Sequence, residues 1–329
     1  MANSIGPRTD EGDILDVSNK DHYRSEFNLH IMLTRRCNLS CHYCYYPLKK
    51  DPKMRDMSKD VITKIIEESR ALPFDFFFDL SGGEALIRKD ILEVIELFLK
   101  EGRNTVLNSN GLLINPEIAK SFREFQQNYQ FTPVISLDSH LAEFHDPCRG
   151  RFEDVIKSLE ILKEYDVDFA VDITLGKHNS ENILNTVRFV VENHTKNIVL
   201  CKLRPVYSSA KAEDFLSNEE ILSIYNEVIE LKEEYGGFNF FHSFDATGEE
   251  FCTAGMDKMS IGSDGSVFPC YMLEAMSFGN IDDTPLAELV ELMRIKFGRN
   301  DIRQIVCQSP EYAKLLFDNT TVPSISLVD

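Results

Sequence analysis

The chain has 329 residues, 43% of them hydrophobic, which is ample for a large core and for more than one domain. Its 54 Asp plus Glu outweigh 35 Lys plus Arg, giving a formal net charge of −19. That balance argues against a nucleic-acid partner, because a phosphate-binding surface needs Lys and Arg. The sequence has no apolar run long enough to span a bilayer, so no membrane partner is expected. The start, Met1-Ala2-Asn3-Ser4, has neither the basic nor the apolar region of a signal peptide, so the expected location is cytoplasmic. In that setting eight cysteines point to metal or redox chemistry rather than to disulfides.

Residues 1–27 are polar and read as an irregular N-terminal segment. The apolar run Leu29 to Leu33 reads as the first strand. Directly after it comes Cys37-Asn38-Leu39-Ser40-Cys41-His42-Tyr43-Cys44, a Cys-x-x-x-Cys-x-x-Cys spacing. Three thiolates in one loop can hold a metal centre. A four-iron cluster normally takes one cysteine per iron, so three cysteines leave one iron open to a substrate or cofactor. Zinc is the alternative, since it accepts Cys and His ligands and His42 lies inside the motif.

Strand and helix patterns then alternate. Asp75–Leu80, Arg103–Leu107, Pro133–Leu137, Phe169–Leu175 and Ile198–Leu203 read as buried strands. Lys59–Ala71, Lys89–Lys100, Pro116–Phe125, Phe152–Glu164 and Glu181–Glu192 read as helices. Such alternation implies βαβ units and a parallel sheet of six strands, with chemistry at the carboxyl ends of the strands. Polar motifs fall at those ends: Ser81-Gly82-Gly83-Glu84, Asn108-Ser109-Asn110-Gly111 and Ser136-Leu137-Asp138, with His145-Asp146-Pro147-Cys148-Arg149 a little beyond. Paired glycines let backbone approach closely, and the carboxylate of Glu84 is able to accept from an ammonium group. Strand alternation puts Ser136 and Asp138 on one face.

Leu216–Glu234 is a charged amphipathic helix, ended by Gly236-Gly237. Asp245 and Cys252 follow. Next comes a hairpin, Met259-Ser260-Ile261 and Val267-Phe268-Pro269-Cys270 around the turn Ser263-Asp264-Gly265. A helix over Leu286–Phe297 and then Cys307 complete the pattern.

The three-cysteine loop with Tyr43 before its last cysteine, the Gly-Gly-Glu turn and the Asn-Gly turn together resemble the radical SAM enzymes, over roughly residues 28–205. The resemblance implies an α/β fold, a partial (β/α)6 TIM-like barrel, assigned here with its following helix to residues 28–235. It implies a [4Fe-4S] cluster on Cys37, Cys41 and Cys44, whose open iron chelates S-adenosylmethionine (SAM). Gly82, Gly83 and Glu84 are expected at the methionyl end of SAM and Asn110 in the neighbouring turn. Ser136 and Asp138 are expected at its ribose or carboxylate, Tyr43 at its adenine side and Arg149 at its carboxylate.

Cys252, the Gly265-x-x-x-x-Cys270 spacing and Phe278-Gly279-Asn280-Ile281 resemble the SPASM/twitch extension of that family. This implies a small C-terminal hairpin-plus-helix domain over residues 236–329 with an auxiliary iron–sulfur cluster on Cys252, Cys270 and Cys307. The extension is shortened. Where relatives have Cys-x-x-Cys, this chain has Cys307-Gln308-Ser309-Pro310, so a fourth ligand is unaccounted for. Hydrogen-atom donation is the competing role for Cys307. The placement of Asp245 resembles that of the catalytic aspartate of anaerobic sulfatase-maturating enzymes.

The implied activity is reductive cleavage of SAM to a 5′-deoxyadenosyl radical, which takes a hydrogen atom from a peptide or protein substrate in a crosslink, dehydrogenation or epimerisation. The implied partners are a peptide or small-molecule substrate and an electron donor such as flavodoxin or ferredoxin. Two other readings stand beside it: a radical SAM reaction on a small carbohydrate, and a zinc-stabilised binding module without catalysis.

Overall fold

The computed structural model describes residues 26–44, 56–204, 212–242, 254–274 and 277–297. In chain order the first part runs β1 (Glu26–Met32), α1 (Lys59–Arg70), β2 (Asp75–Ser81), α2 (Ile91–Leu99), β3 (Thr105–Ser109), α3 (Pro116–Asn128) and β4 (Phe131–Ser136). A short α4 (Ala142–His145) precedes α5 (Phe152–Glu164), β5 (Ala170–Leu175), α6 (Ile183–Asn193), β6 (Asn197–Lys202), α7 (Asn218–Glu234) and β7 (Asn239–His242). The chain continues through β8 (Lys258–Ile261), β9 (Ser266–Phe268), β10 (Gly279–Asn280) and α8 (Leu286–Phe297). None of the described helices is long and apolar enough to cross a membrane.

The helices start where side chains satisfy their free N–H groups. Ser58 Oγ accepts from Val61 N at 3.2 Å ahead of α1, and Asn115 Oδ1 accepts from Ile118 N at 3.0 Å ahead of α3, with Pro116 in its first turn. Ser217 and Glu220 close a reciprocal capping box on α7.

All the described strands join one sheet, in the order β10-β9-β8-β1-β2-β3-β4-β5-β6-β7. From β1 to β7 every neighbouring pair is parallel, as crossover helices require. The helices cover one face, where Val171, Ile173, Leu175, Ile198 and Leu200 join the main apolar core with side chains of α1, α2, α3 and α5 to α8. Alternation sends the intervening residues to the other, inner face. There Phe77, Val106, Val134 and Ala170 form a separate apolar layer, with Val199 and Phe241 against it. Two residues further along the same strands lie Asp79, Asn108, Ser136, Asp172 and Cys201. The inner face of this mostly parallel sheet, a partial TIM-like barrel, is therefore apolar at its floor and polar above it.

The sheet extends beyond the expected six strands. Residues 239–242 pair parallel to β6, so the sheet continues past residue 235. The hairpin does not stand apart either: β8 lies parallel to β1, with Asn28 opposite Lys258 and His30 opposite Ser260. A first strand with one bonded neighbour would leave a row of N–H and C=O groups open, and β8 pairs them. Beside it, α8 meets α1, with Glu68 accepting from Leu286 N and Lys64 Nζ donating to Asp282 O.

Candidate active site

The cysteine loop leaves the carboxyl end of β1 and is fixed before it reaches the first cysteine. Arg88 is 3% exposed and donates from Nη1 to Leu33 O and Met57 O, both at 2.8 Å. Thr34 Oγ1 and the Arg36 guanidinium both bond Asp56. The end of β2 then clamps the loop, since Gly83 N donates to Thr34 O and Glu84 N to Arg36 O, each at 2.8 Å. A Cβ on Gly82 would stand 2.4 Å from Thr34 O, and one on Gly83 would stand 2.3 Å from Arg36 O. The close approach that these glycines permit is therefore to the cysteine loop itself.

Glu84 is 1% exposed and ties three pieces together. Its Oε1 accepts from Leu86 N and Ser109 Oγ at 3.0 Å, and its Oε2 accepts from Asn110 N at 2.7 Å. Burial pushes the carboxyl up, and these bonds pull it back part of the way. From the same turn Asn110 Nδ2 donates to Asn38 Oδ1 at 2.7 Å, a second hold on the cysteine loop.

Cys37, Cys41 and Cys44 are in no disulfide and are half-buried. Burial pushes the Cys37 and Cys41 thiols up. The charge of Glu84 adds to this at Cys37, while Arg149 opposes it at Cys41. A bound iron supplies the positive charge that makes such thiols thiolates. Among the described residues no three Cys, His, Asp or Glu side chains close around one point. An iron–sulfur cluster does not require that, since each thiolate binds a different iron. Three thiols in one anchored loop suit such a cluster.

Across the barrel mouth a second group forms around Asp138, which has no exposed surface. Tyr43 Oη donates to its Oδ2 and Thr174 N to its Oδ1, the latter at 3.1 Å. Arg149 Nε stands 3.0 Å and His178 Nε2 3.6 Å from Oδ2. The first of these is an ion pair without hydrogen-bond alignment, while Arg149 Nη2 donates to Thr174 Oγ1 at 3.1 Å. The guanidinium also lies 5.4 Å from the centre of the Tyr43 ring. Burial alone would raise the Asp138 carboxyl. Arg149, His178 and the Tyr43 bond outweigh it and hold the group well below the usual carboxylate range. His145 has a structural part here, with Nδ1 accepting from Asp138 N at 3.2 Å.

Tyr43, Asp138 and Arg149 thus meet, as do Glu84, Asn110 and the cysteine loop. Ser136 stands apart from the Asp138 group, half-buried at the end of β4 opposite Asp172. Cys270 is buried just after β9, against Ala254 and Leu273. Asp245, Cys252 and Cys307 lie outside the described residues. Sequence reasoning missed His178, although a polar residue just past the end of β5 was a usable signal. It also missed Asp172 and Cys201, whose signal was a polar residue at every second position of an otherwise apolar strand.

Two family models match the chain: the radical SAM superfamily over residues 31–190 and an iron–sulfur cluster-binding domain, SPASM, over residues 252–311. Residues 31–190 belong to the radical SAM superfamily. Membership brings a [4Fe-4S] cluster and SAM, the SPASM match brings auxiliary iron–sulfur binding, and the zinc-stabilised module is set aside. Among curated relatives of this radical SAM chain, the AdoMet-dependent heme synthase of Methanosarcina barkeri is 28% identical over 312 residues, covering 86% of this chain and 88% of its own. The mycofactocin maturase MftC of Mycolicibacterium smegmatis is 26% identical, covering 72% of this chain and 62% of its own. Among solved structures, Streptococcus suis SuiB bound to precursor peptide SuiA has a TM-score of 0.69 at 18% identity, covering 80% of this chain and 64% of that one. Native anSMEcpe with bound AdoMet has a TM-score of 0.66 at 22% identity, covering 80% of both chains. At these identities the solved structures speak for the fold.

Proposed function

We propose that this radical SAM enzyme acts on a peptide or protein substrate, taking a hydrogen atom from a side-chain or backbone carbon. When bound, the cluster with SAM supplies the electron and the 5′-deoxyadenosyl radical for that abstraction. Cys37, Cys41 and Cys44 would hold the cluster. Gly82, Gly83, Glu84 and the Asn110 turn fix the cysteine loop and would border the methionyl end of SAM. Tyr43, Asp138 and Arg149, which meet one another, would form the opposite wall, with Arg149 offering its guanidinium to a carboxylate. Cys252, Cys270 and Cys307 would serve the auxiliary cluster and Asp245 would act as base, with reducing equivalents from a flavodoxin or ferredoxin. The observation that carries the reading is the inner face of the sheet, where half-buried Ser136, Asp172 and Cys201 line a polar layer under the Asp138 group. Such a face suits the amide and hydroxyl groups of a peptide.

A second reading, a haem precursor as substrate, is favoured by the similarity to AdoMet-dependent heme synthase along 88% of that relative. The test is anaerobic reconstitution with iron and sulfide, then reduction in the presence of SAM and perdeuterated peptides encoded beside this gene. Deuterium in 5′-deoxyadenosine supports the peptide reading. 5′-Deoxyadenosine without deuterium from any such peptide, but with deuterium from a labelled porphyrin, moves the assignment to the second reading. No 5′-deoxyadenosine at all defeats both.

A further inference from the structure

Asp172 and Cys201 form a pair that the Asp138 group does not use. Both sit on the inner face, two residues beyond Ala170 and Val199 of the apolar floor. In register, Asp172 lies between Ser136 of β4 and Val199 of β6, and Cys201 lies opposite Thr174. A hydrogen bond joins the two side chains. Both residues are half-buried rather than sealed. Asp172 Oδ1 is nevertheless out of solvent contact with no partner among the described residues. A buried oxygen left without a donor costs about 1–3 kcal/mol, so such an atom calls for an explanation.

We propose that Asp172 Oδ1, backed by Cys201, is a substrate-docking point inside the barrel that receives an N–H or O–H donor of the substrate. This deepens the peptide reading above and rests on it. The donor would be a side-chain amide, hydroxyl or amine lying over Ala170 and Val134 and beside Ser136. The charges around the pair agree. Burial pushes the Asp172 carboxyl up to about 6, and Arg149 and the Cys201 bond pull against that, while Asp138 and Asp79 add to it. Near neutral pH the carboxyl is largely an acceptor, and an incoming donor relieves its isolation. Cys201, in turn, is pushed up by burial and by Asp172, with Lys258 and Arg204 opposing, so its proton stays on sulfur. Three other buried polar atoms without partners among the described residues lie on β1 and β8: Asn28 Oδ1, His30 Nδ1 and Ser260 Oγ, the last two from residues opposite each other in register. His30 is covered by the Tyr271 ring at 4.6 Å. Asp172, unlike them, lies directly above the apolar floor of Val134, Ala170 and Val199.

Cys201 gives this docking point a chemical reporter. The reconstituted full chain with SAM would be treated with iodoacetamide at pH 9, and the Cys201 peptide followed by mass spectrometry. The probes are N-acetyl tripeptide amides with a central Asn, Ser or Lys, against one with a central Leu. Three results are expected. Cys201 is alkylated only slowly in the native enzyme, its proton being held on sulfur, and faster in Asp172→Ala, which removes the carboxylate that holds it there. The donor-bearing peptides slow alkylation of the wild type, by about twofold at a concentration equal to their Kd. They do not slow it in Asp172→Ala. Equal protection by the leucine peptide, no protection by any of them, or a Cys201 inert in both proteins until they unfold overturns the proposal. 5′-Deoxyadenosine measured in parallel samples of the same proteins, supplied with a reductant and left unalkylated, separates the two levels. Its presence with a negative labelling result defeats the docking point alone, and its absence defeats the activity beneath it.

Discussion

Gly83→Ala tests whether the cysteine loop is held by contact with the end of β2. The added methyl would stand 2.3 Å from Arg36 O, 2.7 Å from Arg36 C and 3.0 Å from Arg35 O, where ordinary contact begins at 3.4 Å. The two segments must therefore part by roughly 1 Å, an overpacking that costs about 1–3 kcal/mol. That separation also strains the bonds from Gly83 N to Thr34 O and from Glu84 N to Arg36 O, each worth about 1 kcal/mol. Together these give about 3–5 kcal/mol, borne by the segment that carries the cysteines rather than by the strand cores. Gly83 is not in the left-handed region, so the effect is one of contact and not of backbone strain. The assay is iron and sulfide per chain after anaerobic reconstitution, with resistance to a chelator, beside the urea midpoint. The expected result is iron that is partly lost and chelator-labile. Gly102→Ala is the control, since its Cβ would meet nothing and its φ of +69° costs only about 1 kcal/mol. Wild-type iron content and chelator resistance in Gly83→Ala would refute the clamp.

Cys37, Cys41 and Cys44 changed together to Ala should abolish 5′-deoxyadenosine formation while iron bound by the C-terminal segment persists, which iron analysis and anaerobic spectra will report; undiminished product removes these cysteines as ligands. Asp138→Asn leaves the Arg149 guanidinium beside a neutral partner in a buried place, so unfolding free energy should fall by about 3–5 kcal/mol, and a loss below 1 kcal/mol would contradict the pairing. The Asp172 carboxyl moves from 3.8 to about 6 on folding, so the folded state holds its proton more tightly. Stability from this group is then greatest below pH 4, falls between about pH 4 and 6, and is flat above, a swing of about 3 kcal/mol at 1.36 kcal/mol per unit. Asp172→Asn should therefore gain stability relative to wild type as pH rises through that window in urea titrations, and a difference independent of pH would refute the burial of the carboxyl.

The parallel sheet was legible because each strand is a short apolar run bounded by an amphipathic helix, and β2 to β6 fall within two residues of their expected bounds. The cysteine loop was legible from spacing alone. β7 was not, since Asn239–His242 is four residues long with no period to read, and its place depends on an open edge at β6. The parallel union of β8 with β1 was hidden for the same reason. A hairpin announces its own turn but not the strand it will lie against. At the site, strand ends told where Glu84, Asn110 and Asp138 belong. What they touch was a matter of tertiary packing: the paired glycines meet Arg36 and Thr34, and Glu84 is engaged by Ser109 and Asn110. His178 entered through the loop after β5, which carries no periodic signal.

The pairing of β1 has a consequence for how the chain is made. Its partner on one side is β2, and on the other β8, with Asn28 opposite Lys258, a separation of 258 − 28 = 230 residues. At ribosomal rates of about 5–20 residues per second, β1 waits about 10–50 s for that second neighbour. Throughout the wait the strand that leads into the cysteines is a bare edge, able to pair with any extended chain nearby. A nascent chain stalled or cut before residue 254 keeps that edge permanently. Such fragments should precipitate rather than persist as barrels, and expression hosts that slow translation late in the message should lose more protein than those that slow it early.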